Sequence, residues 1–459
     1  MHDATTKQGV LFERSFTRPV HVRFDQPDAS SDAGALLLKA ADDRLGLSAA
    51  LAAAMRDERD PSRVCHRLVD LVRQRVFLLG AGYEDCNDVA RLIDDPIPKL
   101  LLGRDPVNGA ELASQPTLSR FENAVDGRSL VRMGHALADT VIARHKRRLA
   151  KRPVRRITID MDPTDDRTHG QQQLALFNAH YGGWCYLPVA CFIQFDHEPE
   201  HHLFACVLRG GDAHGSDGAC AILARVIAKL KRAFCASVIR VRLDGGFATP
   251  EVFDFLDQAG VEYVVAIAGN SVLLDHAEEH MAPVRTRSET SARSEKAYAE
   301  CDYAADSWDT VRRVVIKAEV VRLGERSARD NPRFVVTNLQ QTPGWIYESV
   351  YCARGTEENR IKELLHGLQI DRTSCHHFFA NQLRVLLSAA AYVLFQEIRL
   401  SARHTSLAGA QVSTLRERLF KLGAWVECST RRIVLHLPDS APWRQEWCRI
   451  VRVLGAVPG

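Results

Sequence analysis

The chain has 459 residues, 46% hydrophobic and 25% charged, with a net charge of only +3. That is the profile of a globular protein of roughly two to four domains, and it excludes a polycation, so any nucleic-acid surface must be a local patch. Twelve cysteines are scattered without one C-x-x-C pair, which excludes zinc-finger spacing. MHDATTKQGV lacks the apolar run of a signal peptide, and the longest apolar run, Val385 to Phe395, is too short to span a bilayer. The expectation is a reduced, cytoplasmic protein with no membrane segment.

In chain order, VLFERSF and VHVRFD alternate and are expected to pair as strands. Asp32 to Met55 reads as one or two helices, and Arg63 to Ala150 as helical throughout. In that region RVCHRLVDLVRQRVFLLGAG ends at Gly80 and Gly82. SQPTLSRFENAV starts with Ser114 as cap and Pro116 in the first turn. Its polar face carries Thr117, Ser119, Arg120 and Asn123, a surface that suits a DNA groove or simple solvation. The tract RHKRRLAKRPVRR follows, with eight Lys or Arg in thirteen residues, among them Arg147, Arg148, Lys151 and Arg152. It reads as a charged helix end or a phosphate-contacting arm.

From Arg155 to Ala268 the pattern is three strands (RRITIDMD, GWCYLPVACFIQFD, HLFACVLRG), a helix, a strand (VIRVRLD), a helix and an apolar strand (VEYVVAIA). A short polar link makes the second and third a hairpin; three antiparallel strands followed by right-handed crossovers give an α/β mixed sheet with helices on its faces. Residues 270–345 read as a β-rich insertion with a charged, loop-like part, RTRSETSARSEKAYAE. The remainder is largely helical, with a hairpin at AWVECSTRRIVLHLP. The expected division is 1–150, mainly helical; 151–269, first part of the core; 270–345, insertion; 346–400, last part of the core; and 401–459, helical with a hairpin.

The chemistry is expected in the carboxylates. Asp160 and Asp162 end the first sheet strand and, two apart, share a face. Asp244 ends the fourth strand before two glycines. If those strands are neighbours, the acids meet at the carboxyl end of the sheet. Oxygen-only ligation favours Mg²⁺ or Mn²⁺ over zinc. In WIYESVYCARGTEENRIKELL, Tyr351, Arg354, Glu358 and Lys362 fall on one helical stripe, which would supply a third carboxylate flanked by cations. Such carboxylates would repel each other without metal and should splay apart. Asp165 and Asp166 read as turn formers, and His169 as a local hydrogen-bonding residue.

These stretches resemble a bacterial insertion-sequence transposase of the DDE class with a ribonuclease H-like catalytic core. The matching segments are ITIDMDPTDDRTHGQQ, VIRVRLDGGFA and YCARGTEENRIKELLHGL, in that order. In the subgroup with a tyrosine–arginine–glutamate signature, the signature falls on Tyr351, Arg354 and Glu358. Its terminal lysine is replaced here by Leu365, with Lys362 one turn after the glutamate as substitute. Asp162, followed two residues later by Thr164, fits the family's first acid, and Asp160 stays a second candidate. The resemblance implies catalysis by Asp162, Asp244 and Glu358 with two Mg²⁺ ions, for which Mn²⁺ can substitute. It implies a homodimer on double-stranded DNA that cuts the element's terminal inverted repeats and joins them to target DNA. Tyr351, Arg354 and Lys362 would contact DNA, along with Arg120 and the basic tract; Trp308 or Trp345 could stack on an unpaired base. The protein would then be nucleoid-associated when bound. The alternative is a DNA-binding repressor or architectural factor on the same scaffold without chemistry.

Overall fold

Eight segments build one mixed sheet in this computed structural model, which describes residues 10–13, 15–324 and 327–457. They are β1 (Arg156–Pro163), β2 (Val189–Phe195), β3 (His202–Val207), β4 (Val238–Leu243), β5 (Glu262–Ile267), β6 (Glu295–Tyr303), β7 (Arg312–Val321) and β8 (Arg333–Thr337). Their order across the sheet is β6-β7-β8-β5-β4-β1-β2-β3, with the short strand Arg329–Asp330 beside β7. β1, β2 and β3 are antiparallel neighbours, whereas β4 runs parallel to both β1 and β5. The first and fourth strands are thus side by side, an arrangement that the sequence pattern allowed. β5, a nearly continuous apolar run, sits inside the sheet between β4 and β8.

Three segments depart from the sequence reading. GWCYLPVACFIQFD is two strands. Gly183–Tyr186 joins Asp166–Arg167 and Leu176–Asn178 in a small flap, and β2 begins only after Pro188. A proline lacks the N–H that an unbroken ladder would need. The charged stretch expected as a loop is the end of a 21-residue helix, Ser271–Ser291, followed by β6. Asn270 caps that helix by accepting from Leu273 N at 2.9 Å. Its buried stripe, Leu273, Ala277, Met281, Val284 and Ser288, has helical spacing. The third departure is at Tyr351–Lys362, described with the site.

The sheet's outer edge is β3. Two glutamines of the long core helix Phe378–Ser401 cover it. Gln396 accepts from Leu203 N at 3.1 Å and donates to the His201 carbonyl at 2.8 Å. Gln382 accepts from Leu208 N at 2.6 Å and donates to the Cys206 carbonyl at 3.4 Å. Side-chain amides therefore satisfy backbone groups that a missing strand would otherwise take. The same helix packs against the N-terminal helices Leu36–Leu45, Leu68–Ala81 and Gly127–Arg148, and one apolar cluster runs from Ala33 to Leu454. Among the described residues this is the one helix long and apolar enough to cross a membrane, and 89% of its apolar window is buried inside the protein.

Candidate active site

β1 and β4 are in register with Arg242 opposite Asp160 and Leu243 opposite Met161. The next step places Asp244 beside Asp162, so the two acids leave adjacent parallel strands at their carboxyl ends. Asp244 turns back to accept from Gly246 N at 2.9 Å and caps the turn Gly245–Phe247. A Cβ at position 246 would lie 3.2 Å from Asp244 Oδ1. Gly246→Ala is expected to shift this carboxylate by a few tenths of an ångström. If the carboxylate is catalytic, turnover should fall about tenfold or more with little change in melting temperature.

Asp160 and Asp162 have different surroundings although they share a face. Asp160 is wholly buried, and Arg242 grips it in a fork, Nε to Oδ1 and Nη2 to Oδ2, both at 2.6 Å. His201 Nδ1 is 3.3 Å from Oδ2. Burial raises its pKa, but Arg242 and His201 outweigh that and hold it below the usual carboxylate value. Asp162 is largely buried but reaches the cleft. Burial, reinforced by the charges of Asp244 and Glu358 and opposed by Arg354, pushes it up to about 7.

The third element is an irregular helix. Ile346–Tyr351 is a π turn, Cys352–Arg354 a tighter 3₁₀ turn, and Gly355–Leu368 a regular α-helix. The four stripe residues accordingly divide. Tyr351 is half-buried against Tyr347, Arg354 is buried, and Glu358 and Lys362 are exposed. The α-helical part is fixed from behind by buried Glu363, which accepts from Tyr392 Oη at 2.8 Å and Arg399 Nη2 at 2.5 Å.

Arg354 occupies the centre of the cleft. Its Nη2 lies 2.7 Å from Asp162 Oδ1 and 3.9 Å from Asp244 Oδ2, and its Nε lies 3.7 Å from Glu357 Oε2. Glu357 was not foreseen. It is fully buried, and neither carboxylate oxygen has a hydrogen-bond partner. Burial, then the charges of Asp160 and Asp162, push its pKa well above the usual value. The tandem Glu357-Glu358 was the available signal. Tyr181 on the flap was also missed; burial and then the charges of Asp165, Asp162 and Asp244 raise its pKa.

Carboxylate oxygens alone are the donor set that hard divalent cations take. The guanidinium among Asp162, Asp244 and Glu357 marks a place where these side chains already surround positive charge. As placed, no three acid, His or Cys side chains among the described residues close on a single point. The donor type is thus that of a hard divalent cation, while Arg354 holds the place between the acids.

The other expected contact residues lie elsewhere. Arg148 is held by Glu198 in a two-bond fork at 2.8 Å, and Arg152 pairs with Asp196 at 3.3 Å. Arg147 and Lys151 are exposed. The tract precedes Arg156, the first residue of β1, whereas Asp162 is near its far end. Six strand residues span about 20 Å, so proximity in sequence to the acids is not proximity in space. Arg120 is exposed on Gln115–Asn123, where Asn123 bonds back to the Ser119 carbonyl at 2.8 Å. Trp308 packs against Phe253 and Tyr303, and Trp345 is 37% exposed beneath Arg240. Asp166, read as a turn former, is instead buried and accepts from Thr373 Oγ1 at 2.8 Å.

Two acids thus leave neighbouring parallel strands, with the helix of Glu357 and Glu358 beside them. The sequence profile described as Transposase DDE domain group 1 matches residues 12–458, and the chain belongs to that family. No curated protein matches it significantly. A cryo-EM structure of the piggyBac transposase synaptic complex with hairpin DNA aligns over 85% of this chain and 79% of its own, at 10% identity and a TM-score of 0.41.

Proposed function

We propose that this transposase cuts and joins DNA with Asp162, Asp244 and Glu358 as its three catalytic acids, on a ribonuclease H-like core, as the mobilising enzyme of a bacterial insertion sequence. The observation that carries this reading is the β1–β4 register, which aligns Asp162 with Asp244 while the charge of Glu358 reaches Asp162 from the facing helix. Asp160 is withdrawn from the first-acid role because both its oxygens are taken by Arg242.

The three carboxylates would hold two Mg²⁺ ions, or Mn²⁺ in their place. Such a pair, when bound, activates the attacking water or 3′-hydroxyl and stabilises the leaving oxygen. Tyr351 and Arg354 border the acids, and on release from Asp162 the Arg354 fork suits a phosphate oxygen pair. Lys362, exposed one turn beyond Glu358, can meet the same backbone. A homodimer would bring two terminal inverted repeats together, with Arg120, Arg147 and Lys151 available for phosphates outside the cleft. Residues 1–150 are the proposed end-reading region, 151–269 and 346–400 the catalytic core, 270–345 its insertion and 401–459 an accessory region.

A supercoiled plasmid carrying the native element ends tests this. Wild-type protein with Mg²⁺ is expected to nick at the ends. Asp244→Asn and Glu358→Gln should each reduce nicking by at least about a thousandfold while retaining end binding. Unchanged nicking in both variants would overturn the site assignment. Tight end binding without cleavage by the wild type would favour the repressor reading.

A further inference from the structure

The three proposed acids stand on three separate elements, and one buried guanidinium, carried by β4, bonds to β1 and to the π turn that leads into the helix of Glu358. Arg242 lies on β4, two residues before Asp244, with its side chain 3% exposed. Its fork to Asp160 reaches β1 two residues before Asp162. Its remaining amino group, Nη1, donates to the Val350 carbonyl at 3.0 Å. Val350 lies in the π turn immediately before Tyr351, on the segment that leads into Arg354 and Glu358. A π turn offsets the regular helical hydrogen-bond pattern, so an outside donor to one of its carbonyls fixes where the following helix starts. Gln194 Oε1 on β2 accepts a fourth, longer contact at 3.4 Å.

Asp160 is two residues from Asp162, and Val350 is one residue before Tyr351 on the segment that continues into the helix of Glu358. A planar fork with fixed donor directions can hold two strands and a helix segment in one geometry; a flexible ammonium cannot. We propose that Arg242 is a positioning residue for the acid cluster, keying Asp162, Asp244 and the helix of Glu358 to one another through Asp160 and the Val350 carbonyl. The inference rests on the reading of those acids as metal-binding. It assigns to Asp160 and Arg242 together the supporting role that outer residues play around metal ligands.

The test uses the full chain without DNA and follows Mn²⁺ binding by electron paramagnetic resonance, alongside thermal melting. Arg242→Lys keeps the charge beside Asp160 but loses the fork and its reach to Val350. It is expected to bind Mn²⁺ at least about tenfold more weakly. Val241→Ala, the neighbouring residue on the opposite face of β4, serves as a stability control and should bind Mn²⁺ like the wild type. If Arg242→Lys does not fold, the neutral pair Asp160→Asn with Arg242→Gln takes its place with the same expectation. Mn²⁺ affinity within twofold of wild type in the folded Arg242 variant would overturn the proposal, as would an equal loss in Val241→Ala. Absence of Mn²⁺ binding by the wild type would overturn both this proposal and the metal-site reading. Wild-type Mn²⁺ binding without cleavage of the end-bearing plasmid would remove the transposition chemistry alone and leave the positioning role standing.

Discussion

Asp160→Ala is expected to destabilise the protein by about 3–5 kcal/mol, the usual cost of leaving a buried charge without its partner. Asp162→Asn, two residues along the same strand face, should leave stability nearly unchanged and reduce DNA nicking by at least about a thousandfold. The contrast follows from the surroundings. Asp160 is wholly buried and neutralises Arg242, which is itself 3% exposed and has no other carboxylate in contact. Asp162 stands within the charge of Asp244, Glu357 and Glu358, and one guanidinium, Arg354, is shared among Asp162, Asp244 and Glu357. Removing one negative charge there relieves repulsion as well as losing an ion contact. Urea unfolding and plasmid nicking on the same preparations check both expectations. A stable, inactive Asp160→Ala beside an unstable Asp162→Asn would reverse the assignment.

Asp166→Asn should stabilise the protein at pH 8.5 by several kcal/mol and change little near pH 4, on the order set by about 1.4 kcal/mol per pKa unit. Burial, with the charges of Asp371 and Asp165, pushes the Asp166 carboxyl up to about 8, against the Thr373 hydrogen bond and Arg384. The folded state therefore keeps this proton long after the unfolded chain has lost it near its ordinary value of 3.8. Wherever the folded state binds more protons than the unfolded one, stability falls as pH rises. The loss accumulates from about pH 4 to about pH 8. An amide has the same shape and no charge to bury, so the variant should show a shallower decline over that window. Denaturant unfolding of both proteins at several pH values measures it. Parallel curves would mean that Asp166 ionises in the fold without penalty.

Much of the sheet was legible because its signals are local. Strand lengths, caps and glycine stops gave the element order from Arg155 to Ala268, and one short link gave the hairpin. That Asp244 could stand beside the first strand was one arrangement this order allows, and the β1–β4 pairing is the one found. What was hidden depends on partners distant in sequence. Asp160 and Asp162 are equivalent on a strand pattern, and what separates them are distant partners: Arg242, 82 residues away, with His201 on Asp160, and Arg354 on Asp162. Glu357 is one residue from the expected acid and three from Arg354, and which of the two glutamates turns inward depends on what the helix packs against. The basic tract is near the acids in sequence but not in space, because a strand carries its two termini to opposite ends of the sheet. The helix Ser271–Ser291 was readable in principle. Its apolar stripe has regular spacing, but charged residues outnumber it and drew the reading toward a loop.

The glutamine cover on β3 bears on how the chain is made. Gln396 reaches Leu203 across 193 residues of sequence. At a synthesis rate of about 5–20 residues per second, β3 leaves the ribosome roughly 10–40 seconds before its cover does. During that interval its backbone groups are an open template for another nascent chain. Successive ribosomes within that 193-codon stretch of one message all carry the same strand uncovered. Yield of this protein should therefore depend on how slowly it is translated and how closely its ribosomes are spaced, with losses falling as initiation is made less frequent.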